Sequence, residues 1–180
     1  PAPAWNDTPN ITVASTGVAT TDAFVSKYSE DGSTMLWTNF VGGGDNTQGT
    51  ETVHSLICDT SNNIYMYGVT SSTDFPTFNA VQGTHGGGTP VVFNSTGTNF
   101  GTQGTDIYTV KISSDGLNLL GATYIGGSGN DGINYLVTSG NYGSAAAYDS
   151  LTSNYGDQFR GEIMLDSMNN VLIATNTRST

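Results

Sequence analysis

The sequence predicts an all-β chain of short hairpins, and three observations carry that prediction. Charged residues make up only 11% of the 180, while Gly, Thr, Ser and Asn are abundant and strong helix formers are scarce. β-rich segments flank compact turn signals such as Asp31-Gly32 and Asn62-Asn63. The same pair of hairpins also occurs twice, so the chain is a tandem repeat.

The first copy reads from Asp22 to Pro76. The second begins at Asp106 and resumes at Glu162. Asp22 and Asp106, Lys27 and Lys111, Gly32 and Gly116, and Gly42 and Gly126 share one offset, 106 − 22 = 84. In the second hairpin, Asp59 and Asp166, Asn62 and Asn169, and Thr70 and Thr177 share another, 166 − 59 = 107. The second copy is therefore longer between its hairpins by 107 − 84 = 23, within Asp131 to Arg160. On this ruler residues 1–21 are an irregular lead-in and the final strand of a preceding blade. Residues 22–105 are the first complete repeat and 106–180 the second, with its insertion near 131–160 and its end truncated.

Taken in order, Ile11–Ser15 reads as a strand, and Val13-Ala14-Ser15-Thr16 matches the strand end Val69-Thr70-Ser71-Ser72. Ala23–Tyr28 and Met35–Val41 pair around Glu30-Asp31-Gly32, and the second copy keeps that turn as Ser114-Asp115-Gly116. Val53–Asp59 pairs with Ile64–Val69 through Thr60–Asn63, whose paired Asn suit positive φ. Its counterpart is Ile163–Asp166, Ser167–Asn170 and Val171–Thr175. Two hairpins per unit give four strands, the size of a propeller blade. The expected fold is thus a β-propeller fragment of roughly two four-stranded blades, incomplete at both ends, with a sandwich of stacked hairpins as the alternative. Rings close with about four to eight blades, so the expected partners begin with remaining blades of the same polypeptide.

Composition excludes several classes. Fifteen acids against four basic residues give a net charge of −11, and no Lys or Arg cluster exists to collect phosphates, which excludes nucleic acid. Twelve of the acids are Asp, the acid of turns. Cys58 has no partner for an intrachain disulfide and, beside Leu56-Ile57, reads as a buried thiol. No apolar run is long enough for a transmembrane segment.

Gly126-Gly127-Ser128-Gly129-Asn130-Asp131-Gly132-Ile133-Asn134 matches the calcium nonapeptide GGxGxDxUx at each specified position. Such repeats build a site from successive turns, and Gly42–Asn46 lacks the spacing, so the glycines are read as supplying positive φ for a tight strand exit and no metal or cofactor is assigned. No Lys or helix follows them, as a P-loop requires. His54 and Ser55 are neighbours on a strand and are expected to diverge, and His85 lies in a glycine-rich loop without flanking ligands. No catalytic residue is assigned, and a non-enzyme is expected. The insertion holds Tyr135, Tyr142, Tyr148 and Tyr155 at intervals of seven, six and seven in a Gly, Ser, Asn and Ala background. Tyrosines on a long polar loop stack on sugar faces or anchor protein partners, so these four are the candidate ligand- or partner-binding residues.

DAFVSKYSEDGS, the Gly-Gly after Asn39-Phe40-Val41, the NNIYMYGVTSSTDFP run and Gln82 with Gly86-Gly87-Gly88 resemble the bacterial β-propeller repeats called SBBP repeats, over roughly Asp22 to Thr180. The insertion and the long Thr89–Thr105 segment depart from that pattern. The resemblance implies an extracellular or cell-surface protein of the kind found in Bacteroidetes that use type IX secretion and gliding motility. It implies a scaffold or recognition segment in adhesion, surface assembly or motility, with other surface or secretion-system proteins or glycans as partners. The alternatives are part of a carbohydrate-active enzyme whose catalytic residues lie outside this chain, and secreted cargo within a secretion or motility complex. Asp149-Ser150-Leu151 and Asp166-Ser167-Met168 also resemble an O-glycosylation motif used by some Bacteroidetes.

Overall fold

The computed structural model describes residues 21–43, 49–92, 99–101, 103–133 and 161–180. These form ten strands: β1 (Ala23–Tyr28), β2 (Met35–Val41), β3 (Glu51–Cys58), β4 (Ile64–Thr70), β5 (Val91–Val92), β6 (Asn99–Gly101), β7 (Asp106–Ile112), β8 (Leu119–Ile125), β9 (Gly161–Leu165) and β10 (Val171–Thr175). The chain is all-β, with antiparallel pairing throughout and no helix among the described residues. The expected strand at Ile11–Ser15 lies outside them.

Each predicted hairpin forms, and equivalent turns close with the same bonds. In the β1–β2 turn Asp31 Oδ1 accepts the Ser29 hydroxyl (2.6 Å) and the Ser33 amide (3.1 Å), which holds the Asp31 carboxyl down at about 2. In the β7–β8 turn Asp115 Oδ1 accepts the Ser113 hydroxyl (2.5 Å) and the Leu117 amide (3.0 Å). The β3–β4 and β9–β10 turns match as well. Asp59 Oδ1 takes the amides of Ser61 and Asn63, and Asp166 Oδ1 takes those of Met168 and Asn170. Asn62 and Asn169 adopt φ of 60° and 63°, the left-handed conformation Asn tolerates.

The sheets do not follow the repeat boundaries. The one four-stranded sheet among the described residues has the order β3-β4-β7-β8, so the second hairpin of one copy pairs with the first hairpin of the next. β4 runs antiparallel to β7 from Ile64 opposite Ile112 to Thr70 opposite Asp106. Among the described residues β1–β2 and β9–β10 are each two-stranded, and β5–β6 is a small separate pair. The physical reason lies in β4, all seven of whose residues are buried. Such a strand needs a neighbour on each edge and a layer on each face.

The faces of the central sheet divide as the alternation of β4 requires. Ile64 and Met66, with Tyr108, Val110, Ile112 and Tyr124, pack against Ala23, Val25 and Val41 of the β1–β2 hairpin. Tyr65, Tyr67 and Ile107 pack on the other face with Ile163, Leu165 and Ile173 of β9–β10. The three layers run half-sheet, full sheet, half-sheet.

Candidate functional site

The four candidate tyrosines, Tyr135, Tyr142, Tyr148 and Tyr155, lie outside the described residues. The framework that carries their segment is described on both sides. Asp131 bridges to Thr177 just as Glu51 pairs with Thr70, and the Gly132 amide donates to the Asn176 carbonyl (2.9 Å). Asp131 accepts the Thr177 hydroxyl, as Glu51 accepts that of Thr70 (2.6 Å). The Asp131 amide donates to the Thr105 carbonyl (2.7 Å), and the Glu51 amide to that of Thr21 (2.8 Å). Asp131, Gly132 and Ile133 therefore occupy the places of Glu51, Thr52 and Val53, and Gly161, the counterpart of His54 in the second hairpin, takes the next place. The inserted residues are 134–160, and Asp131, placed at the insertion's edge from sequence, belongs to the repeat.

The place in the first copy that corresponds to the point of insertion is a β-bulge. The β3–β4 register shifts between Val53 and Ser55, which leaves His54 as the additional residue of the strand. The bulge also overturns the expected divergence of His54 and Ser55. The Ser55 hydroxyl donates to Glu162 Oε2 of β9 (3.0 Å), and the His54 ring lies against Tyr67 at 6.0 Å on that same side. His54 lines a polar cleft of about 650 Å³ together with Gly161, Glu162, Ala174, Thr175 and Asn176. Burial lowers the His54 pKa, with the Glu162 charge opposing it, so the ring is neutral at neutral pH. At the back of the cleft, the Tyr67 hydroxyl donates to Thr175 Oγ1 (2.6 Å). A carboxylate, a neutral imidazole, an amide and a hydroxyl thus converge where residues 134–160 join the sheet. Such groups hydrogen-bond a hydroxyl- or amide-bearing ligand.

Two buried carboxylate clasps close the strand ends. In the first copy Glu51 lies beside Asp22, and burial, aided by the Asp22 charge and opposed by hydrogen bonds from Ser72 and Thr70, raises its pKa to about 7. In the second, Asp106 Oδ2 accepts the Gly86 amide (2.7 Å) and the Gln82 side chain (3.2 Å), while Oδ1 is unpartnered and lies 4.0 Å from His85 Nε2. Burial, with the Asp131 charge in support, raises Asp106 to about 6. The Gly87 amide donates to His85 Nδ1 (3.0 Å), which puts the ring proton on Nε2, facing Asp106.

The clasps explain the glycines of the calcium-like motif, and the explanation corrects the expected one. Gly126, Gly127 and Gly129 do not have positive φ; Gly132 does, at 73°. A Cβ on Gly126 would sit 2.5 Å from Asp106 Oδ1 and 2.8 Å from Asp131 Oδ2, and one on Gly42 would sit 2.5 Å from Asp22 Oδ1 and 2.9 Å from Glu51 Oε2. The glycines admit the carboxylates. Asp131 is held by the Gly127 amide (2.8 Å) and the Ser179 hydroxyl (2.6 Å). No group of three metal-ligating side chains occurs among the described residues.

Cys58, expected to be buried, is exposed. It ends β3, an edge strand, and opens on a shallow apolar cleft of about 200 Å³ that also involves Leu56, Trp37 and Ile64. Ser167 is exposed in the β9–β10 turn, and Ser150 lies outside the described residues. No helix among the described residues is long and apolar enough to cross a membrane. No protein-family model, curated protein or solved structure matches the chain.

Proposed function

We propose that this chain is a propeller-type repeat segment of a large secreted or surface-attached bacterial protein, serving as a non-enzymatic scaffold whose recognition element is the tyrosine-bearing insertion. The observation that carries this reading is the place of the insertion. Residues 134–160 join the framework at Ile133 and Gly161, the places that Val53 and His54 hold at the bulge of the first copy, and Gly161 lies on the rim of the polar cleft of His54 and Glu162. Bulges re-aim a strand without dismantling its sheet, so a recognition segment can be added there while both hairpins keep their turns and cores. The ligand class is a glycan or a polar protein surface. Tyr135, Tyr142, Tyr148 and Tyr155 would supply stacking area, and Glu162 and Asn176 hydrogen bonds.

The test is binding to glycan arrays and to whole bacterial surfaces by the chain and by a variant with all four tyrosines replaced by alanine. Loss of binding of tenfold or more, with the thermal transition unchanged, supports the reading. Unchanged binding removes it. Replacing Glu162 by Gln should weaken the same binding by a smaller factor.

A further inference from the structure

Residues 78–89 run as a strap along the outer edge of β8, and both ends are pinned by groups that do not titrate. Phe78 and Ala122 exchange backbone hydrogen bonds (2.9 and 2.8 Å), and the Asn130 side chain holds the Thr89 amide and carbonyl (both 3.0 Å). Between the pins the Gln82 carbonyl accepts the Tyr124 amide (3.1 Å), and the Gln82 side chain joins Gly126 to Asp106. The remaining fastener is a titratable pair. Asp106 takes the Gly86 amide, the Gly87 amide donates to His85 Nδ1, and the His85 and Asp106 side chains, 3% and 0% exposed, lie 4.0 Å apart.

With the strap closed, an additional proton has one good place in this pair. His85 Nδ1 keeps its lone pair for the Gly87 amide, so a proton added there would set donor against donor. Asp106 Oδ1 makes no hydrogen bond, and it converges with Asp131 Oδ2 on Gly126, 2.5 and 2.8 Å from the point where a Cβ would stand. A buried carboxylate that faces another carboxylate takes up a proton. Asp106 is accordingly raised to about 6, and burial lowers His85, although the Thr70 backbone and the Asp131 charge oppose that. Among the described residues the other titratable group against the pair is Tyr124, whose ring meets His85 edge-on at 5.6 Å and whose hydroxyl burial raises far above this range. Once the strap lifts into water the order reverses, because a free imidazole binds a proton more tightly than a free carboxyl.

We propose that residues 79–88 open and close as a strap whose equilibrium is insulated from pH by this pair: the additional proton rests on Asp106 when the strap is closed and on His85 when it is open. The two states then bind the same number of protons, and linkage cancels the pH dependence that either residue alone would impose. Asp106 alone favours the closed strap fully below about pH 3.8 and loses that contribution as pH rises through about 6. His85 alone favours it above about pH 6.5 and loses that contribution as pH falls through the lowered value. The consequence is a sheet edge that stays covered in mild acid and near neutrality alike, which guards β8 against pairing with a foreign strand.

The inference does not depend on the tyrosine recognition element. Its measure is hydrogen exchange of the Gly86 and Gly87 amides in the full chain, followed by NMR from about pH 4.5 to 7.5 and corrected for intrinsic exchange, with the Ala122 amide as the pinned control. Wild-type protection should change by less than about fivefold across that range. Asp106→Asn leaves His85 alone, so opening should rise as pH falls, by up to about a hundredfold. His85→Gln, whose amide oxygen can still accept the Gly87 amide, leaves Asp106 alone, so opening should rise with pH by about twentyfold. Should a variant not fold, the unaltered chain still decides: NMR titration of the two side chains should show the Asp106 carboxyl taking its proton at a higher pH than the His85 ring. A wild-type change of about fivefold or more, variant slopes that share a sign or are absent, or a His85 ring protonated before Asp106 would overturn the proposal.

Discussion

The hairpins β3–β4 and β9–β10 have the same turn, built on Asp59 and Asp166 with Asn62 and Asn169 at nearly identical φ, yet their strands have opposite fates. Every residue of β4 is buried, whereas Val171, Leu172 and Ala174 of β10 are exposed. The hairpin is therefore fixed by local chemistry, and its burial by the hairpin that arrives beside it. β4 has β7, and β10 has no equivalent among the described residues. A like contrast holds between β7, largely buried, and β1, whose outward face carries Phe24 and Tyr28.

The largest expected effect breaks this contrast directly. Tyr108 is fully buried and stacks on Phe75 with ring centroids 4.7 Å apart, so Tyr108→Ala should cost about 3–5 kcal/mol in denaturant unfolding. Phe24→Ala at the equivalent position should change stability by less than about 0.5 kcal/mol. Equal losses would show that β1 is already covered as β7 is.

The next effect separates the two carboxylate clasps by pH. Glu51 has a folded pKa of about 7, above its usual value of 4.5, so the folded chain binds the additional proton between those values. Its contribution is fully present below about pH 4.5 and is lost as pH rises through about 7. Glu51→Gln should remove that loss and gain up to about 3 kcal/mol at pH 8, since each tenfold change in proton affinity is worth about 1.4 kcal/mol. Asp106, raised to about 6 from 3.8, behaves alike in a lower window. His85 opposes it, since burial lowers its pKa: its contribution is present above about pH 6.5 and is lost as pH falls through the lowered value. Urea titrations from about pH 4 to 8 on wild type, Glu51→Gln and Asp106→Asn check both windows. A Glu51→Gln curve parallel to wild type would refute the assignment.

These features differ in how far the sequence announces them. Turns such as Ser29–Thr34 and Asp59–Asn63 are closed by residues within five positions of one another, so composition and spacing suffice to place the hairpins. Whether β4 joins β1–β2 or β7–β8 depends on burial accumulated along the whole strand, and the repeat offsets do not encode it. The offset from Glu51 to Asp131 is 131 − 51 = 80, which matches neither 84 nor 107, so the ruler that aligns Asp22 with Asp106 conceals the second clasp. The bulge at His54 has no sequence signal either. It reverses the face of one residue and so brings His54 and Ser55 together toward Glu162.

The smallest effect sharpens the contrast within the first hairpins. Gly32 and Gly116 have φ of 73° and 75° in equivalent turns, so alanine at either carries the cost of left-handed backbone, about 1–2 kcal/mol. Around Gly32 a Cβ would meet nothing within 4 Å, whereas on Gly116 it would meet the Trp37 ring at 2.6 Å. Trp37 belongs to β2 and reaches across to the β7–β8 turn, where Asn39 also donates to the Gly116 carbonyl (2.7 Å). Gly116→Ala should therefore exceed Gly32→Ala by the cost of displacing that ring. Trp37→Leu should bring the two alanine variants to the same cost, because the backbone term is common to both. Trp37 fluorescence should shift in Gly116→Ala and stay constant in Gly32→Ala. If the two variants lose equal stability with Trp37 in place, the layer contact between the first half-sheet and the central sheet is looser than the turn geometry requires.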